Sequence, residues 1–336
     1  MKAILIIALF FVFNFSAFGK SFTDFMAAKK DSNYIETYFN DLIVRLYSGE
    51  KTHSLDLNDL SNPYRIQYLP NGYFNIGVGV NFRSYGLSLA TKIPFIQNND
   101  NKRGETKRFG IQSYIYTDKF SIDLLTSFSK GYYLNNSFQH LEYFTKDREY
   151  QRPDIASANI GVSVNYIFNN SKFSYKAAFS DTERQKRNAG SFIAGGSILS
   201  YRTKADSAFV PGRIDKAFFL KSRDVSKSGV LAFNANGGYA YSVVFLRNGI
   251  VTLSYIFGAG MQNNKFDRTS KTEINNWRFS FNQSGRLGIG YRYKRYYARI
   301  AIIRAAQYTS LKYNDLRIAN GTDFIQLSLG KRISFK

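Results

Sequence analysis

The sequence contains no cysteine. This absence excludes a lipid-modified N-terminal cysteine, structural disulfide bonds and metal sites built from thiolates. An exported chain of this kind must be stabilised by something other than disulfide bonds. A closed ladder of backbone hydrogen bonds within a membrane would do so, because every backbone donor and acceptor then has a protein partner.

Long hydrophobic runs are also lacking, with one exception at the N-terminus. There, Met1-Lys2 precedes an apolar run, Ala3–Phe13, and a small-x-small site at Ala17–Gly19. The run is far shorter than the roughly 20 residues that a spanning helix needs, so we interpret residues 1–19 as a signal peptide cleaved near Gly19. No other segment resembles a transmembrane helix, and the mean hydropathy is −0.30. Barrel strands are compatible with that value, because every second residue faces a polar lumen.

Histidine is scarce, with only His53 and His140 present. Neither lies in a recognisable nucleophile motif, and a barrel hydrolase needs a histidine beside a serine or a carboxylate to accept a proton near neutral pH. The carboxylate pair considered as a metal site is Asp56/Asp59, which we interpret as facing water, and no phosphate-binding glycine loop or dinucleotide pattern occurs. We therefore predict no enzyme, no cofactor and no metal site. A barrel-embedded hydrolase that uses His140 is the remote alternative.

The clearest positive signal is the C-terminal stretch Phe324–Phe335, in which apolar and polar residues alternate with the period of two of an extended strand. A strand of about ten residues that ends in an aromatic residue is typical of the last strand of an outer-membrane β-barrel. We expect this strand, ending at Phe335, to engage the barrel-assembly machinery. One face carries Ile325, Leu327, Leu329, Ile333 and Phe335, and the other carries Gln326, Ser328, Gly330, Arg332 and Ser334.

Alternating segments recur from residue 42 onward and predict an all-β fold, a transmembrane antiparallel β-barrel of the outer-membrane type formed by residues 42–336 as one domain. Residues 20–41 have no strong period and are interpreted as a periplasmic N-terminal segment. A soluble β-sandwich would also alternate, but strand number, strand length and the export signal favour the barrel. The predicted strands before the C-terminal one are Leu42–Tyr47, Tyr73–Phe82, Tyr85–Ile93, Lys107–Thr117, Phe120–Ser129, Asn159–Phe168, Phe173–Ser180, Ser191–Tyr201, Val230–Phe245, Ile250–Met261, Trp277–Tyr293 and Tyr296–Ala306.

These segments predict a barrel of about 12–14 strands, with fourteen preferred because bacterial single-chain barrels have an even number. Long and short connections alternate along the chain except near residues 182–228, where two long connections follow one another. One further strand at Ile214–Lys221 removes the irregularity and completes fourteen. The alternative is a barrel of about twelve strands with Leu42–Tyr47 outside it.

Positive charge predominates, since 46 Lys and Arg residues against 24 Asp and Glu residues give a formal net charge of +22. The export signal argues against nucleic acid as a partner, which leaves anionic solutes, membrane lipid and anionic glycolipid. Aromatic residues make up 17% of the chain, as interfacial girdles require. Trp277 is the single tryptophan, so tyrosine must supply most of these girdles.

Arginine is the residue type that the strand pattern predicts on the lumen wall. The clearest case is Trp277–Tyr293, whose apolar phase alternates with a phase that carries three arginines. Arginines without local acids favour anions in a pore. The six arginines predicted to face the lumen are Arg45, Arg278, Arg286, Arg292, Arg299 and Arg332.

A salt-bridged plug would neutralise these arginines and is the alternative to an open pore. Asp123 is the one acid that the strand pattern places on an inward phase. The remaining counter-charges would then come from acidic residues of folded-in loops. The loop acids considered are Glu142, Asp147, Asp215 and Asp267.

A series of short motifs runs along the chain: Tyr34–Glu36, Leu42–Tyr47, Tyr68–Asn71, Ile76–Gly79, Gly104–Lys107, Lys130–Leu134, Glu183–Lys186, Ala189–Ser191 and Gly238–Tyr241. In this order they resemble an uncharacterised family of exported bacterial proteins, domain-of-unknown-function family 4421, over about residues 30–335. Leu69 and Asn188 depart from the family pattern. The resemblance implies an outer-membrane barrel and no known activity.

Together these features predict a passive or weakly selective outer-membrane pore for small anionic solutes, with a basic lumen. The alternative function is that of a structural or accessory outer-membrane protein. Such a protein would bind partners or anionic glycolipid through its basic loops.

Overall fold

The structure is a computed structural model that describes residues 25–38, 40–72, 74–82, 85–92, 99–142, 144–220, 222–268, 272–310 and 316–334. The predicted signal peptide (residues 1–19) and Phe335 lie outside these residues. Among the helices described, none has the length and apolar character needed to cross a membrane.

Within the described residues, fifteen strands make up almost all of the regular structure. In chain order they are β1 (Ile35–Thr37), β2 (Asp41–Asp59), β3 (Tyr64–Leu69), β4 (Asn75–Phe82), β5 (Tyr85–Lys92), β6 (Lys107–Tyr116), β7 (Phe120–Leu134), β8 (Tyr150–Ile167), β9 (Glu183–Gln185), β10 (Ala189–Lys204), β11 (Val225–Phe245), β12 (Gly249–Arg268), β13 (Thr272–Tyr293), β14 (Tyr296–Ser310) and β15 (Leu316–Ser334). The short helices are α1 (Asp100–Arg103), a 3-10 turn at Ser137–Gln139 and α2 (Tyr175–Phe179).

The strands form a closed antiparallel barrel, as predicted. Neighbours pair in the order β2, β15, β14, β13, β12, β11, β10, β8, β7 and β3, and β3 pairs back onto β2. The β2–β15 seam runs from Asp41↔Ser334 to Asp59↔Leu316. We call the end of the barrel where β2 begins and β15 ends the terminal end, and the opposite end the loop end.

The wall forks where β2 faces β7. The first part of β2 (Leu42–Gly49) pairs with β4, whereas its last part (Leu55–Asp59) pairs with β3. Strand β5 pairs with β4, and β6 pairs with β7. Strands β4, β5 and β6 therefore lie between β2 and β7 at the terminal end of the barrel. The preferred count of fourteen strands is therefore wrong, because ten strands close the ring and three more attach to its edges.

Two segments predicted as strands have other structures. Phe173–Ser180 contains the helix α2. Ser174 caps the N-terminus of this helix, because its hydroxyl accepts a hydrogen bond from the Ala177 amide at 3.1 Å. In Ile214–Lys221 the described residues 214–220 form turns and bends. Residues 168–188 are instead a single connection between β8 and β10 that folds into the lumen. The alternation of long and short connections near residues 182–228 therefore needs no additional strand.

The two faces of the wall differ in polarity. On β12 the outward side chains of Leu253 and Phe257 are 61% and 51% exposed, while the inward Ser254 is 1% exposed. The same alternation continues on β13 and β15, where large apolar side chains face out and Ser280 and Ser328 face in, buried. An apolar outer face around a polar interior is the arrangement that suits a barrel in lipid.

Candidate functional site

The lumen is filled at the terminal end by residues 168–188, which we call the plug. Its side chains Phe173, Tyr175 and Phe179 are buried in one apolar cluster with wall residues such as Ile256 and Ala301. The hydroxyl groups of Tyr175 and Ser254 lie 2.5 Å apart and share a hydrogen bond. The plug is therefore packed inside the lumen against several strands of the wall.

A glycine allows the plug to approach the wall closely. A Cβ atom added at Gly288, on β13, would lie 3.2 Å from both the carbonyl oxygen of Ala178 and the ring of Phe179. A larger side chain at this position would push against helix α2, because that distance is tighter than ordinary van der Waals contact.

The N-terminal segment braces the plug from outside the lumen. Strand β1 pairs with β9 of the plug through Ile35↔Gln185 and Thr37↔Glu183. The Gln185 side chain also donates hydrogen bonds to the carbonyl oxygens of Lys172 and Arg187, at 2.6 and 3.0 Å. Two motifs of the family resemblance, Tyr34–Glu36 and Glu183–Lys186, thus form one small sheet.

The plug carries an acid into the group of inward arginines. Asp181, in a left-handed backbone conformation, is 5% exposed. Its carboxylate accepts hydrogen bonds from Arg292 at 3.1 Å and from Arg299 at 2.5 Å. Arg292 also donates to the carbonyl oxygen of Ala177 at 3.0 Å. Arg45 lies within electrostatic reach of Arg299 and Asp181 and donates a hydrogen bond to Ser88 at 2.8 Å.

Arg286 has a separate set of partners nearer the middle of the wall. Its side chain is almost completely buried and is paired with the carboxylate of Asp123. It also donates hydrogen bonds to the hydroxyl groups of Tyr116 and Ser121, at 3.2 and 3.3 Å. The guanidinium lies 5.9 Å from the ring centre of Tyr175, so the plug contacts this arginine as well.

The last two predicted arginines lie apart from these groups. Arg332 pairs with Asp41 at 3.2 Å and stacks 3.8 Å from the ring centre of Tyr38 at the terminal end. Arg278 lies opposite Gln262, and no hydrogen bond or ion pair is found for it among the described residues. The structure thus brings Arg45, Arg292 and Arg299 together and leaves the other three in separate places.

The acids that meet these arginines were mostly missed in the sequence. Asp181 directly follows the predicted strand Phe173–Ser180. The nearby motif Glu183–Lys186 is the one sequence signal that pointed to this region. The loop acids proposed for a plug lie elsewhere: Glu142 and Asp147 are exposed, Asp215 caps a turn by accepting from the Ala217 amide, and Asp267 pairs with Lys227.

A second charged cluster fixes the plug to the turn between β6 and β7. Lys176 lies 2.5 Å from Asp118 and 3.5 Å from Glu183, and Lys30 lies 3.8 and 3.7 Å from the same two acids. Burial lowers the pKa of Lys30. Burial acts to raise the pKa of Asp118, but the ammonium groups of Lys176 and Lys30 outweigh it and hold that pKa below its ordinary value.

The loop end is closed by a second body, residues 205–224, which we call the cap. Phe209 and Phe219 are fully buried in an apolar cluster with Tyr68 and Leu316 of the wall. The Tyr68 hydroxyl donates to the carbonyl oxygen of Phe209 at 2.6 Å, and Asp59 accepts from the Phe219 amide at 2.7 Å. Both ends of the lumen are therefore filled by protein.

A polar chamber of about 100 Å³ lies on the inner wall between cap and plug. Asn236 donates to Asn165 at 3.0 Å and to Ser163 at 3.1 Å, and Asn282 donates to Ser197 at 3.1 Å. These side chains come from four strands and satisfy one another. Arg286 and its ion-pair partner Asp123 both line the chamber, so their opposite charges lie side by side on its wall.

The two histidines lie in different surroundings. His53 is buried and contacts the Thr322 hydroxyl at 3.0 Å through Nδ1. His140 contacts the Tyr64 hydroxyl at 2.8 Å, and burial lowers its pKa. In the part of the chain that the structure describes, no group of three or more His, Asp and Glu side chains is arranged to hold a metal ion.

Among solved structures, the chain is similar to the TodX monoaromatic hydrocarbon channel deltaS2 mutant, with 8% identity, a TM-score of 0.26 and coverage of 88% of this chain and 91% of that chain. A Pseudomonas aeruginosa FadL homologue matches with 10% identity, a TM-score of 0.29 and coverage of 88% and 91%. The outer membrane protein OprG from Pseudomonas aeruginosa matches with 7% identity, a TM-score of 0.23 and coverage of 88% and 97%. Overlaps of this size carry no functional argument.

No curated protein matches the chain. The family profile described as "Domain of unknown function (DUF4421)" matches residues 29–332, which span β1 to nearly the end of β15 and include the plug. The chain therefore belongs to the DUF4421 family.

Proposed function

We propose that this protein is a gated outer-membrane channel for small solutes that favours anions, with the plug as its gate. The observation that carries the proposal is the position of Asp181, which is held by Arg292 and Arg299 on the wall. A plug that carries its own counter-charge can leave the lumen only by exposing those arginines.

The positive charge that the wall presents to the lumen increases when the plug leaves. With Asp181 in place, its carboxylate offsets part of the positive charge of Arg45, Arg292 and Arg299. Without it, three arginines face the same stretch of lumen with no acidic partner from the plug. A group of arginines around an aqueous path attracts anions and repels cations.

Opening must be coupled to a stimulus, because the plug is well packed. Exposing the buried aromatic side chains of Phe173, Tyr175 and Phe179 would cost about 5–9 kcal/mol. The closed state therefore dominates at rest. Release of the β1–β9 sheet is the step that most directly frees the plug, since this sheet ties it to the N-terminal segment.

The proposal places the protein in the bacterial outer membrane after removal of a signal peptide near Gly19. An apolar outer face and the alternating C-terminal sequence with its aromatic residue Phe335 support insertion by the barrel-assembly machinery. No catalytic step is assigned to the protein.

Single-channel recording of the refolded mature chain in a planar bilayer, under a salt gradient, tests the proposal. We expect wild type to be closed for most of the record and Asp181→Asn to raise the open probability by about tenfold or more, because a buried ion pair loses one partner. The reversal potential should show anion preference, and adding Arg292→Gln and Arg299→Gln should reduce it.

Asp323→Asn is the matched control, because its pair with Arg304 at 2.7 Å is exposed and joins β15 to β14 on the wall, away from the plug. It should leave the open probability unchanged. Silence from folded Asp181→Asn protein would contradict the gate, and openings without ion preference would contradict the role of the arginines.

A structural or accessory protein is the second candidate, and the cap favours it. An apolar core beneath residues 205–224 fixes the loop-end surface, as a docking surface for a partner requires. Under this hypothesis no variant conducts, while deletion of cap contacts weakens partner binding.

A further inference from the structure

We propose that a groove on the outer wall binds the phosphate headgroup of an anionic phospholipid of the membrane. The groove has a volume of about 1080 Å³ and lies on the outward face of β6, β7, β8, β10, β11 and β12, near their loop ends. It is separate from the lumen, so the inference does not depend on whether the barrel conducts.

Lysines form a row along the edge of the groove that is nearest the loop end of the barrel. The strand registers place Lys107 beside Lys130, then Ala156, Lys204, Lys227 and Asp267 in turn, one residue per strand. With neighbouring strands about 4.8 Å apart, the row extends over roughly 24 Å. All four lysines are exposed.

The next row of outward-facing residues, two positions along each strand toward the terminal end, adds two more cations and an apolar surface. It runs Phe109, Phe128, Ala158, Arg202, Gly229 and Lys265 in the same strand order. Phe109 is 63% exposed and Phe128 is 41% exposed, so two aromatic rings lie uncovered beside the cations. In these two rows, six basic residues thus line one groove: Lys107, Lys130, Arg202, Lys204, Lys227 and Lys265.

Counter-charge within the protein is nearly absent from this groove. Lys227 pairs with Asp267 at 3.1 Å, and no ion pair is found for the other five cations in the described part of the chain. Lys107 faces Lys130 directly across the strands, and Lys204 faces Lys227 in the same way. Directly opposed like charges destabilise a sheet, so an anion bound between them would relieve a cost that the bare protein carries.

The surroundings favour a lipid over a free anion. From these two rows toward the terminal end, the outward residues become apolar. They include Ile160, Ile198, Leu231 and Phe233, each 40% exposed or more. A lipid whose phosphate contacts the lysines would therefore lay its acyl chains on Phe109, Phe128 and Leu231. Charge and apolar contact come from the same ligand, which an inorganic ion cannot provide.

Native mass spectrometry of the full mature chain, released from micelles that contain equal amounts of phosphatidylglycerol and phosphatidylcholine with identical acyl chains, tests this proposal. We expect wild type to retain phosphatidylglycerol in preference. Lys107→Gln/Lys130→Gln/Lys204→Gln should reduce that preference by about tenfold or more. These three positions are exposed, so the substitutions leave the packed wall intact.

The control is Arg247→Gln/Lys294→Gln/Arg295→Gln, which removes three exposed charges at the terminal end and should retain the preference. Retained secondary structure by circular dichroism confirms folding of both triple variants. Equal preference in the groove variant and in wild type would overturn the proposal. Displacement of the lipid by an equal concentration of inorganic phosphate would overturn the assignment to a lipid.

Discussion

The carboxylate of Asp181 accepts a hydrogen bond from the guanidinium of Arg299, 118 residues further along the chain, and both side chains are buried. One residue belongs to the plug and the other to β14. The contact thus joins the segment that fills the lumen to the wall that surrounds it.

Breaking this contact should destabilise the protein strongly. We expect Asp181→Asn to lower the free energy of unfolding by about 3–5 kcal/mol, because two buried guanidinium groups lose their charged partner. Glu36→Gln, at the exposed pair with Arg184, should cost about 1 kcal/mol or less. Urea unfolding of the refolded barrel followed by tryptophan fluorescence measures both. A similar cost for the two variants would show that burial of the Asp181 pair has no energetic consequence.

Arg286 and Asp123 should behave as a coupled pair. Arg286→Met leaves the Asp123 carboxylate without its cation and should cost about 3–5 kcal/mol. Adding Asp123→Leu removes the stranded charge, so the double variant should be more stable than Arg286→Met alone. A double-mutant cycle in the same unfolding assay gives the coupling energy. Additive costs would contradict the pairing.

Acid should weaken the attachment of the plug through Asp118. Its pKa is lower in the folded protein than in the unfolded chain, so its ionised form stabilises the fold above about pH 4. That stabilisation is lost as the pH falls through the folded-state pKa. The difference in Tm between wild type and Asp118→Asn should therefore be largest near pH 7 and should vanish on acidification. A difference that stays constant down to pH 3 would refute this.

The packing of the cap should depend on the side chain of Phe219 and not on that of the adjacent Leu220. Phe219 is fully buried in the apolar cluster, whereas Leu220 is 66% exposed. We expect Phe219→Ala to cost about 3–5 kcal/mol of local stability and to expose residues 205–224 to protease. Leu220→Ala should change neither stability nor cleavage by a measurable amount. Limited proteolysis with mass mapping of the fragments compares the two, and equal cleavage rates would be inconsistent with the packing.

Much of the wall could be predicted from the sequence, because alternation is a local property. The segments predicted for β10 to β14 all lie in observed strands, and the C-terminal segment does so as far as Ser334; the structure extends most of them at the loop end. The prediction was wrong for Phe173–Ser180, where a short apolar segment with some alternation is buried as a helix. In so short a segment, periodicity does not distinguish a buried helix from a strand.

The sequence by itself determined the fold class and the faces of the strands, since a period of two places each side chain on one face or the other without reference to distant residues. Only the tertiary structure decided what the inward arginines contact. Asp181 and Asp123 lie more than a hundred residues from their arginine partners. Such pairs form only when barrel closure and the inward fold of residues 168–188 bring the groups together, and no local pattern encodes that approach.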